Sequence, residues 1–193
     1  MSTYLGYDVL ELNYNRLGPI EERSRRGFML LDYGTGKRVA NVHHSAPAPA
    51  RPFTWSARGR EELAAMREFL DARVGRAIPF WLPSYQWDLA LAEDLPELAT
   101  IATIHWVRYR DLMFGVTGAR RHLALWDLGN GAFDYYQVDD AIDPHDGETE
   151  TLHLVPGAVR LYTASTCVIS FLKLCRLETD EVEIRYPSVG VAE

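Results

Sequence analysis

Short runs in which apolar and aromatic residues alternate with polar ones recur along this chain. That two-residue period predicts strands with one buried face. Residues 4–14 are the first such run. Residues 27–33 and 37–43 form a pair, with Asp32-Tyr33-Gly34-Thr35-Gly36 supplying the glycines of a turn. Ser45 to Pro52 holds three prolines in six residues, which predicts an extended loop, because proline cannot sit inside a sheet. Phe53 to Ser56 resumes as strand. From Ile101 onwards the β pattern returns, over Ile101–Tyr109, Leu123–Trp126, Phe133–Val138 and Thr151–Val155. Asn130-Gly131 stands between the middle two and is a hairpin signal. Residues 142–150 are polar and turn-like. Two last apolar runs, Cys167–Leu177 and Val182–Tyr186, predict a terminal hairpin.

One stretch breaks this period. Leu63, Met66, Leu70 and Val74 recur at three- and four-residue steps, with Phe69 widening the stripe, so a helix is predicted over 60–74. Glu61 and Glu62 suit its first turn, Arg73 its last, and Gly75 the left-handed position that closes it. The segment Ala77 to Leu89 follows, in which Pro79 and Pro83 bracket Phe80 and Trp81. Its prolines place it at a sheet edge or turn, with the tryptophans as packing anchors or a sugar platform.

Composition narrows the classes. Apolar residues make up 47% of the 193 and charged residues 24%, enough to fold one domain or one domain with a small insertion. The formal net charge of −7, with arginines clustered only at 23–26 and 120–121, argues against binding nucleic acid through its phosphates. Cys167 and Cys175 lie eight residues apart in one predicted strand, too far to bridge, so both read as buried thiols. The first residues lack a signal-peptide pattern, and no apolar run reaches the length of a membrane span.

No catalytic signature emerges. Gly34-Thr35-Gly36-Lys37 lacks the spacing of a phosphate loop and fits a hairpin turn. His43 and His44 would point to opposite faces of a strand, and His105, His122, His145 and His153 have no companion at metal-ligand spacing. Asp139, Asp140, Asp143 and Asp146 do not follow a calcium-loop pattern and read as a solvated acidic turn. No cofactor is implied, and the chain reads as a non-enzyme.

The segment Phe53-Thr54-Trp55-Ser56, the helix, and the stretch from Gly75 to Leu89 resemble a family of bacteriophage and prophage minor tail proteins. The motif positions are Gly75, Arg76, Phe80, Trp81, Leu82, Pro83, Trp87 and Asp88, with Tyr85 where the family has an aromatic, often Trp. Arg120 to Trp126, the stretch to Val138, and Val168 to Ile184 are similar to the family's middle portion and closing hairpin, so the resemblance spans roughly residues 50–190. It implies a tail-tube-like β-sandwich or barrel flanked by one α-helix, with a small inserted β-barrel-like module. It also implies a distal-tail or baseplate subunit: a hexameric ring of copies of itself, joining tail tube protein to tip or hub proteins. Such a protein is assembled in the host cytoplasm and resides in the virion tail, with no membrane and no specific nucleic acid as partner. The expected division is 1–88 with 166–193 as the tube-like part and 89–165 as the insertion. Acidic residues lining a lumen would let the genome slide past.

Two other functions are compatible with the pattern. A carbohydrate-binding module needs Trp81, Trp87, Trp106 or Trp126 exposed on one face. A cell-wall hydrolase needs a carboxylate pair, which 27 acidic residues could supply in many ways.

Overall fold

A computed structural model describes residues 2–12, 23–25, 28–32, 38–42, 48–50, 55, 57–115, 118–180 and 191–192. The protein is mainly β. Its chain divides into two units, Met1–Asn13 with Phe69–Asp180 and Tyr14–Glu68 with Glu181–Glu193.

The first unit is organised by a six-stranded antiparallel sheet. Its strands are β8 (Phe80–Pro83), β9 (Ile101–His105), β10 (His122–Asp127), β11 (Phe133–Ile142), β12 (Thr149–Val155) and β13 (Cys167–Cys175), in the order β8-β13-β10-β11-β12-β9. The ladder of strands is open, so no closed barrel forms. A strap after β8 reaches both sides of it: the Leu89 N–H donates to Ile169 O in β13, and the Ala92 N–H donates to Thr103 O in β9. The strap's Leu89 and Leu91 join Ile104, Leu123, Leu152 and Ile169 in the main core. β12 alternates buried and half-buried positions, as a strand with one covered face must. β13 is buried at every position from Cys167 to Leu172, because both of its faces are covered. Cys167, Ile169 and Phe171 face the main core, while Leu172 packs with Val9, Trp81 and Ala124 on the other side.

The expected boundary at 165/166 falls between strands of one sheet. β13 pairs along its length with β10, Leu123 opposite Phe171 and Leu125 opposite Ile169, so it belongs to the same sheet as the predicted insertion. Neither cysteine of that strand is in a disulfide. Cys167 is buried, which pushes its thiol up to about 12, and Cys175 is half-buried.

Local differences from the sequence pattern have local causes. The helix α1 runs Gly59–Asp71 and ends earlier than expected. The Arg73 and Val74 N–H groups donate to Leu70 O and Asp71 O, a tighter turn, and Val74 is exposed rather than on the apolar stripe. The strand expected to continue to Tyr109 stops at His105 and gives way to a π-helix, Arg110–Phe114. β11 runs four residues beyond its predicted end, through a bulge between Val138 and Asp140.

In the second unit, β4 (Phe28–Asp32) and β5 (Arg38–Val42) pair as the pattern predicts. The proline-rich segment is not wholly loop: β6 (Ala48–Ala50) pairs with β3 (Arg23–Arg25), Pro49 opposite Ser24. A two-stranded ladder has only edges, so the missing N–H is tolerated. β7 (Ala57–Arg58) pairs with β14 (Val191–Ala192). The turn at 33–37, His43-His44 and the run Val182–Tyr186 lie outside the described residues.

Candidate functional site

The segment from Gly75 to Leu89 is the most distinctive in the sequence, and the structure shows what each motif residue does. Gly75 has φ +61, the left-handed conformation that glycine adopts without a Cβ penalty. Next to it, the Arg76 N–H donates to Asp180 Oδ1 at 3.0 Å and the Arg76 guanidinium pairs with the same carboxylate at 3.2 Å. The Arg76 backbone and side-chain hydrogen bonds hold the Asp180 carboxyl below its ordinary range.

Phe80, Trp81, Leu82 and Pro83 are all buried and form β8. Phe80 meets Phe69 of α1 edge-on at 5.2 Å. Trp81 sits on the face of the sheet away from the main core. Its Nε1–H donates to Tyr4 O at 2.8 Å, and its ring packs against Tyr4 at 5.4 Å and His122 at 4.8 Å. Asp88 Oδ2 accepts the Phe171 N–H at 2.7 Å and the Ser84 hydroxyl, which fixes the start of the strap. Tyr85, at the position where the resemblance expects an aromatic, donates its hydroxyl to Leu10 O at 2.5 Å and lies edge-on to Trp126 and Phe133. Trp87 alone of the motif aromatics faces outwards, 53% exposed.

The segment thus clamps residues 2–12 onto the sheet. The clamp has members that sequence spacing does not reveal. The hydroxyl of Tyr4 and Nδ1 of His122 share a hydrogen bond of 3.1 Å. The Tyr135 hydroxyl donates to Glu11 Oε1 at 2.5 Å. Arg73, 3% exposed, pairs with Asp8, donates to Phe69 O at 3.3 Å, and lies 4.7 Å over the Phe69 ring. Tyr4 and His122, Glu11 and Tyr135, and Asp8 and Arg73 lie 118, 124 and 65 residues apart in the chain, so no local motif marks these pairs.

Burial pushes the Tyr4 hydroxyl up to about 12 and the His122 imidazole below its ordinary value. Tyr135 is also raised, by burial first and by Glu11 second. The chemistry of this cluster is that of neutral, mutually bonded groups holding two segments together. A consequence follows for pH. The folded chain resists protonating His122, while the unfolded chain accepts a proton near pH 6.5, the ordinary value for histidine. Stability is therefore expected to be complete above that value and to fall as pH drops through it towards the lower folded pKa. Thermal melts at pH 7.5 and 5.5, roughly spanning that window, should show a larger loss for the parent than for His122→Asn. Parallel losses in the two proteins would show that His122 does not carry the effect.

A second set of buried polar groups organises the far side of the main core. Tyr162 donates to Asp134 Oδ2 at 2.5 Å and shares a hydrogen bond of 2.9 Å with the Tyr136 hydroxyl, which accepts the Val159 N–H at 3.1 Å. Arg160 Nη2 donates to Asp134 Oδ1 at 3.1 Å. Burial and the Asp134 hydrogen bond raise the Tyr162 hydroxyl, which leaves it a donor. Asp143 and Asp146 of the acidic turn accept backbone N–H groups, from His145 at 2.7 Å and from Glu148 at 2.7 Å, so they shape the turn itself. Among the described residues, no three His, Cys, Asp or Glu side chains converge as metal ligands, and no helix is long and apolar enough to cross a membrane.

The four tryptophans of the sugar-platform reading do not share one open face. Trp81 is 5% exposed under Tyr4, and Trp126 stacks on Phe133 at 5.1 Å. Trp87 and Trp106 are open to solvent, in the turn after β8 and just beyond β9.

No protein-family model and no characterised protein sequence matches this chain.

Proposed function

We propose that this protein is a non-catalytic structural subunit of a bacteriophage tail tip, a ring-forming adaptor that joins tail tube protein to tip or hub proteins in the virion. The observation that carries the reading is the use made of the Gly75–Leu89 motif through which the chain resembles minor tail proteins. Its residues serve as a frame: Phe80 to Pro83 are buried in β8, Trp81 and Tyr85 clamp the N-terminal segment, and Asp88 anchors the strap. A motif spent on holding a sheet suits an assembly part, whose working surfaces lie elsewhere.

Exposed apolar side chains support the same reading. Leu98, 80% exposed, and Ile101, Val155, Val159 and Leu161 are carried by two segments that hydrogen-bond to each other through Leu98 and Ala158. Apolar surface of this kind is what subunit contacts cover.

The test is the mass of the purified protein by light scattering across a concentration series, with electron microscopy of the same samples and of mixtures with the tube protein. Closed rings, hexameric by the resemblance, are expected alone or on the tube. A chain that forms no ring and binds neither tube nor hub protein would overturn the proposal. Glycan binding lost on Trp87→Ala would instead favour a receptor-attachment module.

A further inference from the structure

Residues 2–12 form an N-terminal arm that lies on the sheet without entering its main core. That core is drawn from Leu89 to Phe171 and takes no residue from the arm. The arm belongs to a smaller cluster on the other face, where Val9 meets Trp81, Ala124 and Leu172, with Tyr4 and Tyr135 packed against them. Its backbone meets β8 where Val9 bridges to Trp81 and the Leu10 N–H donates to Trp81 O at 2.9 Å. The links from Tyr4 to His122, Trp81 to Tyr4 O, Asp8 to Arg73, Tyr85 to Leu10 O and Tyr135 to Glu11 all run through side chains. A terminal segment that contributes nothing to the main core can leave without dissolving it, so its opening costs less than unfolding the chain.

His122 couples that opening to pH. It stands on β10 beneath the arm, with the Tyr4 ring at 5.7 Å, the Trp81 ring at 4.8 Å and Gln137 opposite it on β11. Tyr135 lies beyond Tyr4, at 5.8 Å from it. None of these is a carboxylate. The arm's own carboxylates are engaged elsewhere, Asp8 with Arg73 and Glu11 with Tyr135, and the chain neighbour Arg121 is turned to Phe114. An imidazolium at this place has little water and no anion beside it, and its protonated Nδ1 no longer accepts a hydrogen bond from the Tyr4 hydroxyl.

Once the arm has left, the ring is in water and takes up a proton near pH 6.5, its ordinary value, whereas burial under the docked arm holds it lower. Docking is therefore at full strength above that value and weakens as pH falls through it towards the lower docked value. We propose that residues 2–12 are a releasable arm whose docking is separate from the folding of the sheet, and that protonation of His122 releases it. Release uncovers Trp81, Ala124, Leu172 and Tyr135 as an apolar strip. The proposal does not depend on the tail-tip reading.

The experiment is native-state hydrogen exchange by NMR on the full chain, with rates corrected for the intrinsic effect of pH. The Leu10 N–H and the Trp81 indole N–H, which donate to Trp81 O and Tyr4 O, report the arm. The Leu154 N–H, which donates to Thr100 O from the main core, reports the sheet. At about pH 7.5 the two arm protons should open together, about tenfold or more as often as Leu154, and without response to urea below the unfolding transition. From there to about pH 5.5 their opening should rise about threefold or more in the parent and stay level in His122→Asn. One opening free energy and one urea dependence for Leu10, Trp81 and Leu154 would overturn the proposal, because the arm would then leave only with the fold. Arm opening that ignores pH in the parent overturns it equally, and both of these readings stand whether or not the variant folds. A pH dependence that survives in His122→Asn would show that another group releases the arm, and overturns the proposal as stated.

Discussion

Replacing Trp81 with alanine is expected to destabilise the protein by about 4 kcal/mol, whereas the same change at Trp87 should cost within about 0.5 kcal/mol. The two tryptophans lie six residues apart in one motif but in opposite surroundings. Trp81 is 5% exposed and fills the space between β13, β10 and the N-terminal segment, against Leu172, Ala124 and Val9. Its indole N–H also satisfies the Tyr4 carbonyl. Removing the ring leaves a cavity, an unpaired acceptor and two aromatic neighbours, Tyr4 and His122, without their contact. The segment cannot settle into the gap freely, because Leu10 O is held by the Tyr85 hydroxyl and the Leu10 N–H donates to Trp81 O. Trp87 is 53% exposed and loses little that is buried. Urea unfolding of both variants gives the comparison, and Trp81→Phe, which lacks the N–H, should fall between parent and alanine. Equal costs at the two positions would show that the clamp contributes nothing to stability.

Glu150→Ala should cost a similar amount, about 4 kcal/mol, by a different mechanism. Glu150 is fully buried on β12, yet its carboxyl oxygens accept three backbone N–H groups: Val107 at 3.0 Å and Tyr109 at 2.9 Å on Oε2, Arg110 at 3.0 Å on Oε1. Those donors have no other acceptor among the described residues, since the chain leaves β9 at His105 and a helix leaves its first N–H groups without partners inside it. Alanine would strand all three. Glutamine keeps one oxygen and presents an amide N–H₂ to donors, so its cost should be smaller, about 2 kcal/mol. Hydrogen exchange at residues 107, 109 and 110, measured beside urea unfolding, should speed up in both variants. A change under about 1 kcal/mol for alanine would mean that other acceptors replace Glu150.

Trp81 and Glu150 owe their weight to partners that no local stretch of the chain contains. The residue pattern by itself determined the helix and the longer strands. The apolar stripe from Leu63 to Leu70 placed α1, Gly75 marked the turn after it, Asn130-Gly131 placed the β10–β11 hairpin, alternation placed β12, and a continuous apolar run placed β13. These features depend on neighbours a few residues apart, where propensity, turn geometry and periodicity act. The tertiary structure alone decided which strands pair and which polar side chains are buried. It set β13 between β8 and β10, and it admitted Pro49 into a two-stranded ladder. It hid Trp81 and left Trp87 in solvent, and it joined Tyr4 to His122, Arg73 to Asp8 and Glu150 to the π-helix. Such partners are brought together only when distant segments bury a shared surface. A strand's alternation says which side chains share a face, but the identity of what covers that face is settled by the whole chain at once.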